Sequence, residues 1–258
     1  MGASAAVEYE EITTKENAAE ENKEIRKLHE FAESRVKYQA EQIELPEGKT
    51  VYCFVKRSMD ILCSLLALIV LLIPMVLIAV IIALDSPGNP IFSQVRLGKD
   101  QKPFTLYKFR SMRLDAEADG AQWASNDDPR VTRVGAFLRK TRIDELPQLV
   151  NILKGDMSIV GPRPERPEFY DVFDTYISGF RQRMLVRPGL TGYAQVVGGY
   201  SLMPEEKIVY DLEYIKKQSL LFDIRLILYT VGVVFHGDKS REAIDQIDHC
   251  QIVGEAKK

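Results

Sequence analysis

From Ile61 to Leu84 the chain reads ILCSLLALIVLLIPMVLIAVIIAL, 24 residues without a charge. This exceeds the roughly 20 residues that cross about 30 Å of hydrocarbon as a helix. A helix so uniformly apolar has no polar face to offer water, so the chain is expected to associate with a membrane. The run begins too far along the chain for a secretory leader. Pro74 stands at its midpoint, where a helix loses one backbone hydrogen bond and meets a clash in the preceding turn. Lys49, Lys56 and Arg57 precede the run, and Arg96, Lys99 and Lys102 follow it. The positive-inside tendency therefore favours neither orientation and is satisfied when both ends face the cytoplasm. Two arrangements meet these features: a re-entrant helix–break–helix that enters and leaves one face, and a kinked spanning helix.

With 258 residues and 46% hydrophobic content, the chain can bury one sizeable core with appendages. Its net charge of −3 points to no nucleic-acid partner. The charge is uneven: residues 1–50 carry 7 Lys and Arg against 12 Glu, whereas the remainder is mildly basic. Cys53, Cys63 and Cys250 are odd in number and without motif spacing, which suits unpaired thiols in a reducing compartment. Four segments follow. Residues 1–50 form an acidic extension, helical or partly disordered, with a thin stripe of Ile25, Leu28, Ala32 and Val36. Residues 51–86 hold the apolar helix expected in the membrane, residues 87–236 a folded body, and residues 237–258 a tail.

Within the body, IFSQVRLG and KPFTLYKFRSM read as two short strands of a hairpin. Residues 115–130 form a polar loop, and the pattern turns helical from Val131. Leu146, Leu149, Val150 and Leu153 share one helical face, and Gly155 closes that helix. PERPEFYDVFDTYISGFRQRM suggests another helix, and RPGLTGYAQV a Gly-rich loop and short strand. A polar helix and then an apolar one follow; the last either packs on the body or lies in the membrane interface. The fold class is thus α+β: a mostly helical, membrane-anchored domain with a short β-hairpin and interfacial amphipathic helices.

Asp144 and Glu145 sit side by side at the head of the apolar helix, with Pro147 just inside it. One reading makes Asp144 an N-cap and Glu145 a partner of the helix dipole. A cap needs one acidic group, however, and here there are two, flanked by Arg139, Arg142 and Arg163. Pro162 and Pro164 stiffen the backbone about Arg163, as a bidentate phosphate clamp requires. A carboxylate can attack phosphorus when nearby cations lower the electrostatic barrier. A second can hold Mg²⁺, which prefers one or two carboxylates together with substrate phosphate oxygens. Lys108 and Arg110 alternate with apolar residues on the second strand and are expected to face the same site. Capping and phosphate chemistry both remain open on these residues alone.

The order of the apolar helix with its central proline, SPGNPIF, VRLG, YKFRSM, DPRVTRVGAFLRKTRIDELPQLVNILKGDMSIVGPRP and RPGLTG resembles the bacterial sugar transferase family. These are monotopic polyprenyl-phosphate phosphoglycosyl transferases, and the likeness runs from about Lys56 to Phe235. The resemblance implies that Asp144 attacks the β-phosphate of a nucleotide-sugar, usually a UDP-sugar, and releases UMP. Polyprenyl (undecaprenyl) phosphate then takes the phosphosugar. It further implies that Glu145 supports Mg²⁺ and the charge of the dyad, that Arg139 and Arg163 hold phosphate groups, and that Lys108 belongs to the strand motif. It implies a re-entrant helix broken at Pro74, in the bacterial cytoplasmic membrane, with the catalytic domain on the cytoplasmic face. Here Ile73 precedes the proline, where the family often has serine. The transferred sugar and the number of copies in any homo-oligomer are not specified.

Overall fold

The computed structural model describes residues 26–118, 128–198 and 202–236. Its longest element is α2, Thr50–Asp85, a helix of 36 residues and so about 54 Å at 1.5 Å per residue. Among the described residues it is the one helix long and apolar enough to cross a membrane. Pro74 lies inside this continuous helix and does not end it. Of its residues only Asp60, Ser64 and Ile82 are buried, while Leu62, Leu66, Ile69, Ile73 and Leu84 face outward.

The rest of the body lies along one stripe of α2. Asp60, Ser64, Ala67, Leu68, Leu71, Met75, Ile78, Ala79 and Ile82 recur at three- and four-residue steps, and they face inward in turn. Asp60 Oδ1 accepts from Ser158 Oγ (3.1 Å) and from the Ile159 N–H (2.9 Å). Arg57 donates to the carbonyls of Ile152 (2.6 Å) and Leu153 (2.9 Å). Those carbonyls end α4 (Gln148–Lys154), so a membrane-helix arginine supplies partners that the last turn of α4 lacks. Gly155 follows at φ +95°, a left-handed cap as expected.

The hairpin forms as predicted, with β2 (Ile91–Leu97) antiparallel to β3 (Pro103–Phe109) and Phe92 opposite Lys108. Asn151 of α4 is wholly buried against it. Its Oδ1 accepts from the Tyr107 N–H (3.1 Å), and its Nδ2 donates to Thr105 O (2.7 Å). The helical stretch after Val131 divides, with α3 (Arg133–Thr141) and α4 separated by Arg142 at φ +60° and a 3-10 turn at Ile143–Glu145. The helix expected after Pro164 is also shorter. It runs as α5 (Pro167–Asp174), then gives way to β5 (Ile177–Ser178) and a 3-10 helix at Phe180–Leu185. β4 (Ser158–Val160) pairs in parallel with β6 (Gly189–Thr191). Their backbones approach too closely for side chains: a Cβ on Gly189 would lie 2.1 Å from Gly161 N. The short α6 (Tyr193–Val197) follows, then α7 (Pro204–Lys217) and α8 (Leu220–His236), the polar and apolar helices anticipated.

The largest core joins α5–α8 through Phe173, Phe180, Tyr193, Ile208, Ile215 and Leu226. It also takes in part of the acidic extension. Residues 26–33 form α1, and β1 (Tyr38–Gln39) pairs in parallel with β5. Ala32 and Ala40 are buried there, with Leu28 and Phe31 packed alongside. This part of residues 1–50 is thus helical in part, and two small residues let an otherwise largely exposed segment touch the aromatic core. Val36 of the expected stripe is 91% exposed, and Ile25 lies outside the described residues.

Candidate active site

Asp144 does not cap a helix. It occupies the 3-10 turn one residue before Glu145, while α4 begins at Gln148 with Pro147 in the cap position and no side-chain cap bond. Its side chain instead enters a cleft of about 170 Å³ between the hairpin, the 3-10 turn, the Pro162–Pro164 segment and α5–α7. Nine cationic and four acidic side chains line that cleft, so it carries a surplus of about five positive charges. Such a field suits an anionic group the size of a diphosphate.

The dyad is asymmetric. Both carboxylates are buried, at 8% and 6% exposed. Glu145 is held by the fork of Arg163, with Nη2–Oε1 at 2.6 Å and Nη1–Oε2 at 3.2 Å, and Arg142 Nη1 lies 3.8 Å away. Burial alone would push the Glu145 carboxyl up; the Arg163 charge and hydrogen bonds reverse this and hold it below the usual range. Asp144 Oδ1 is buried without a hydrogen-bond partner. Burial, and then the negative charge of Glu145, push its carboxyl up to about 6. One acid is thus held in its charged form, and its neighbour, on the wall of the cationic cleft, keeps a buried oxygen without a hydrogen-bond partner. That orphaned oxygen suits an electrophile or a cation. For Mg²⁺, expected on both carboxylates, the two residues differ: Glu145 already accepts from Arg163 at each oxygen, whereas Asp144 would be the better placed of the two to hold a cation. Among the described residues, no group of three or more His, Cys, Asp or Glu side chains gathers as a metal site.

Lys108 lies at the cleft, where its Nζ stands 4.9 Å from the centre of the Phe92 ring. Burial, and then the charge of Arg96, push its ammonium down to about 8. Arg139, in the last turn of α3, lines the same cleft. Arg110 does not. It shares the parity of Lys108, but β3 ends at Phe109, and the next side chain turns back toward the end of α2. There it donates to Pro87 O (2.8 Å), Ser86 O (2.6 Å) and Ser86 Oγ (2.9 Å). Expected at the substrate site, Arg110 stands here outside the cleft, as a brace between the hairpin and the end of α2.

A second charged cluster forms the back wall. Glu165 meets Lys207 (3.3 Å), Arg96 (3.5 Å) and Arg183 (4.0 Å). The buried Arg183 pairs with Asp211 (2.6 Å) and donates to Arg163 O (3.1 Å). The carbonyls of Pro162 and Pro164 accept from the Gly189 N–H (2.9 Å) and from Arg96 (3.2 Å). All three carbonyls of Pro-Arg-Pro are therefore occupied, and the guanidinium that holds Glu145 rises from a fixed base. Gln94 and Arg96 recur at a two-residue step on β2, a signal that would have placed them beside Lys108. Arg183 and Asp211, 28 positions apart, leave no such trace.

A buried carboxylate with an unpartnered oxygen thus stands on the wall of a cationic cleft, in a fold that also carries one helix long and apolar enough to cross a membrane. Residues 51–237 match the bacterial sugar transferase family, and the chain belongs to it. It is 47% identical over 194 residues to a UDP-N-acetylgalactosamine-undecaprenyl-phosphate N-acetylgalactosaminephosphotransferase of Aeromonas hydrophila, across 74% of this chain and 46% of that protein. To a putative undecaprenyl-phosphate N-acetylgalactosaminyl 1-phosphate transferase of Bacillus subtilis it is 53% identical over 146 residues, 57% of this chain and 82% of that protein. A UDP-glucose:undecaprenyl-phosphate glucose-1-phosphate transferase of Escherichia coli is 42% identical over 181 residues, 68% of this chain and 39% of that protein. The chain thus spans less than half of the Aeromonas and Escherichia proteins and most of the Bacillus one.

Proposed function

We propose that this protein transfers a sugar 1-phosphate from a UDP-sugar to polyprenyl phosphate through a phosphosugar bound to Asp144. The observation that carries the reading is Asp144 itself, a buried carboxylate with one unpartnered oxygen on the wall of a cleft of surplus positive charge. An ionised Asp144 oxygen attacks the β-phosphorus, and the bond from that phosphorus to the bridging oxygen of UMP breaks. The lipid phosphate oxygen then attacks the same phosphorus, and Asp144 leaves as a carboxylate. Glu145, locked by Arg163, keeps its negative charge and remains behind the nucleophile. Lys108, Arg139 and Arg163 offset the charge gathered on the transferred group. Mg²⁺, held by Asp144 and the diphosphate, would supply further charge neutralisation.

The arrangement of α2 supports a monotopic enzyme with its body on one face of the membrane, and the basic flanks of the helix favour the cytoplasmic side. Chain before and after the apolar helix belongs to one folded body: β1 pairs with β5, and Lys49 donates to Gln218 O (2.6 Å), while Arg110 grips Ser86 at the other end. Cysteines at Leu45 and Asp100, placed singly in a background without native cysteines, should be labelled from one side of oriented vesicles.

With UDP-sugar and Mg²⁺ but no lipid, the enzyme should release UMP approaching one equivalent and gain the mass of one phosphosugar on a peptide containing Asp144. UDP-N-acetylgalactosamine and UDP-glucose are the first donors to try, since relatives carry those names. Normal turnover with lipid but no adduct would show direct transfer, and an adduct on Glu145 would reverse the roles.

A further inference from the structure

A second cavity, of about 250 Å³, lies behind the dyad between the 3-10 turn, β6, α6 and α8. Its walls are apolar, from Leu146, Ile159, Leu190, Val196, Ile227 and Val233. The two hydroxyls within it are already used: Thr230 donates to Leu226 O (2.7 Å), and Thr191 and Thr230 share a hydrogen bond (2.6 Å). Along these walls a sugar or nucleotide would find little to bond and a hydrocarbon would leave nothing unsatisfied; the unpartnered Gln195 Oε1 belongs to the polar end.

The two ends of this groove differ. At the inner end stand Arg142, Glu145 and Gln195, which also line the cationic cleft, so the groove and the cleft meet at the dyad. At the outer end stands Val231 of α8, 49% exposed, on a helix whose Leu221 (81%) and Leu228 (65%) also face outward. Arg142 holds a left-handed backbone, φ +60°, without being glycine, a conformation that costs a side-chain-bearing residue energy and recurs where a site demands a direction. A hydrocarbon pocket that opens on an apolar face and closes on a guanidinium has the polarity of a lipid phosphate.

We propose that this groove seats the phosphate-proximal end of the acceptor's prenyl chain, with Arg142 receiving the lipid phosphate beside Asp144; the inference rests on the transferase reading above. The donor then occupies the cationic cleft and the acceptor arrives from the side of α8, so that both reach one phosphorus without sharing a binding surface. Val231, at the mouth and away from the cleft, becomes the residue that admits the chain.

The test separates the two half-reactions. Val231→Trp should retain donor-only UMP release at the wild-type amplitude and within about twofold of its rate. Transfer from the loaded enzyme to undecaprenyl phosphate should fall tenfold or more in kcat/KM, with a smaller loss for farnesyl phosphate. Independently of any variant, a benzophenone-bearing prenyl phosphate should label residues within 190–196 and 220–236 of the native protein in phosphatidylglycerol vesicles. Undecaprenyl phosphate should protect against that labelling, and added phosphatidylglycerol should not. Wild-type transfer by Val231→Trp, labelling confined to α2, or equal protection by phosphatidylglycerol overturns the acceptor groove and leaves the transferase reading standing. Absence of lipid-dependent UMP release in the wild type overturns both.

Discussion

Asp144→Asn should stabilise the protein above pH 6 while abolishing nucleotide release. The Asp144 carboxyl is pushed from 3.8 up to about 6 by burial and then by Glu145, so between those values the folded protein keeps a proton that the unfolded chain has lost. Stability therefore falls as pH rises through that window, and the whole penalty is present above it. At 1.36 kcal/mol per unit, roughly two units amount to about 3 kcal/mol. Asparagine has nearly the shape of the protonated acid and no charge, so it escapes this penalty. For a chain of this size each kcal/mol moves the midpoint by about 2–4 °C, giving a rise of about 6–12 °C. Thermal unfolding of both proteins in the same detergent, without substrate, measures it at pH 8 and again at pH 4.5. The gap should be large at pH 8 and mostly gone at pH 4.5. A gap independent of pH, or a variant less stable at pH 8, would refute the claim that Asp144 is a buried carboxylate without a partner.

Donor-only UMP release should rise with pH through about 6 as Asp144 ionises and fall through about 8 as Lys108 loses its proton; Lys108→Met should remove the alkaline limb and move the acid limb upward, since the Lys108 charge favours ionised Asp144. Arg163→Lys keeps the charge but loses the fork on Glu145. It should reduce kcat/KM for the donor about tenfold or more, taking a charged hydrogen bond as roughly 1.5–3 kcal/mol; near-wild-type kinetics would contradict this. Arg110→Met should lower the unfolding midpoint while leaving KM for the donor unchanged, since its three bonds all reach Ser86 and Pro87. A raised KM would return Arg110 to the site.

What could be read from the chain beforehand was whatever has a short period or a local signature. Alternation exposed the hairpin, Gly155 marked the end of α4, and the acidic pair among arginines pointed at the cleft. The break at Arg142 was hidden because a left-handed residue is usually glycine or asparagine, and arginine there gives no warning. The inward stripe of α2 was equally hidden, since in a uniformly apolar run one face looks like another; only Asp60 and Ser64 hinted at it. Arg110 was misplaced by extending the strand one residue too far. The back wall of Glu165, Arg183, Asp211 and Lys207 is made by tertiary pairing, which no window along the chain contains.

The pairing of β1 with β5 has a consequence for how the chain comes into being. Roughly ninety residues separate the end of α2 from β5. At a synthesis rate of about 5–20 residues per second, the apolar helix is complete on the order of 5–20 s before that strand has been made. For most of that interval α2 lacks α4 and β4, and throughout it lacks α8, the elements whose polar groups grip Arg57, Asp60 and Lys56. On the membrane reading proposed above, the bilayer would be its first folding partner, and the body would assemble afterwards on a helix already delivered to the lipid surface. Chains kept from a membrane during synthesis should aggregate through α2 before the cleft exists.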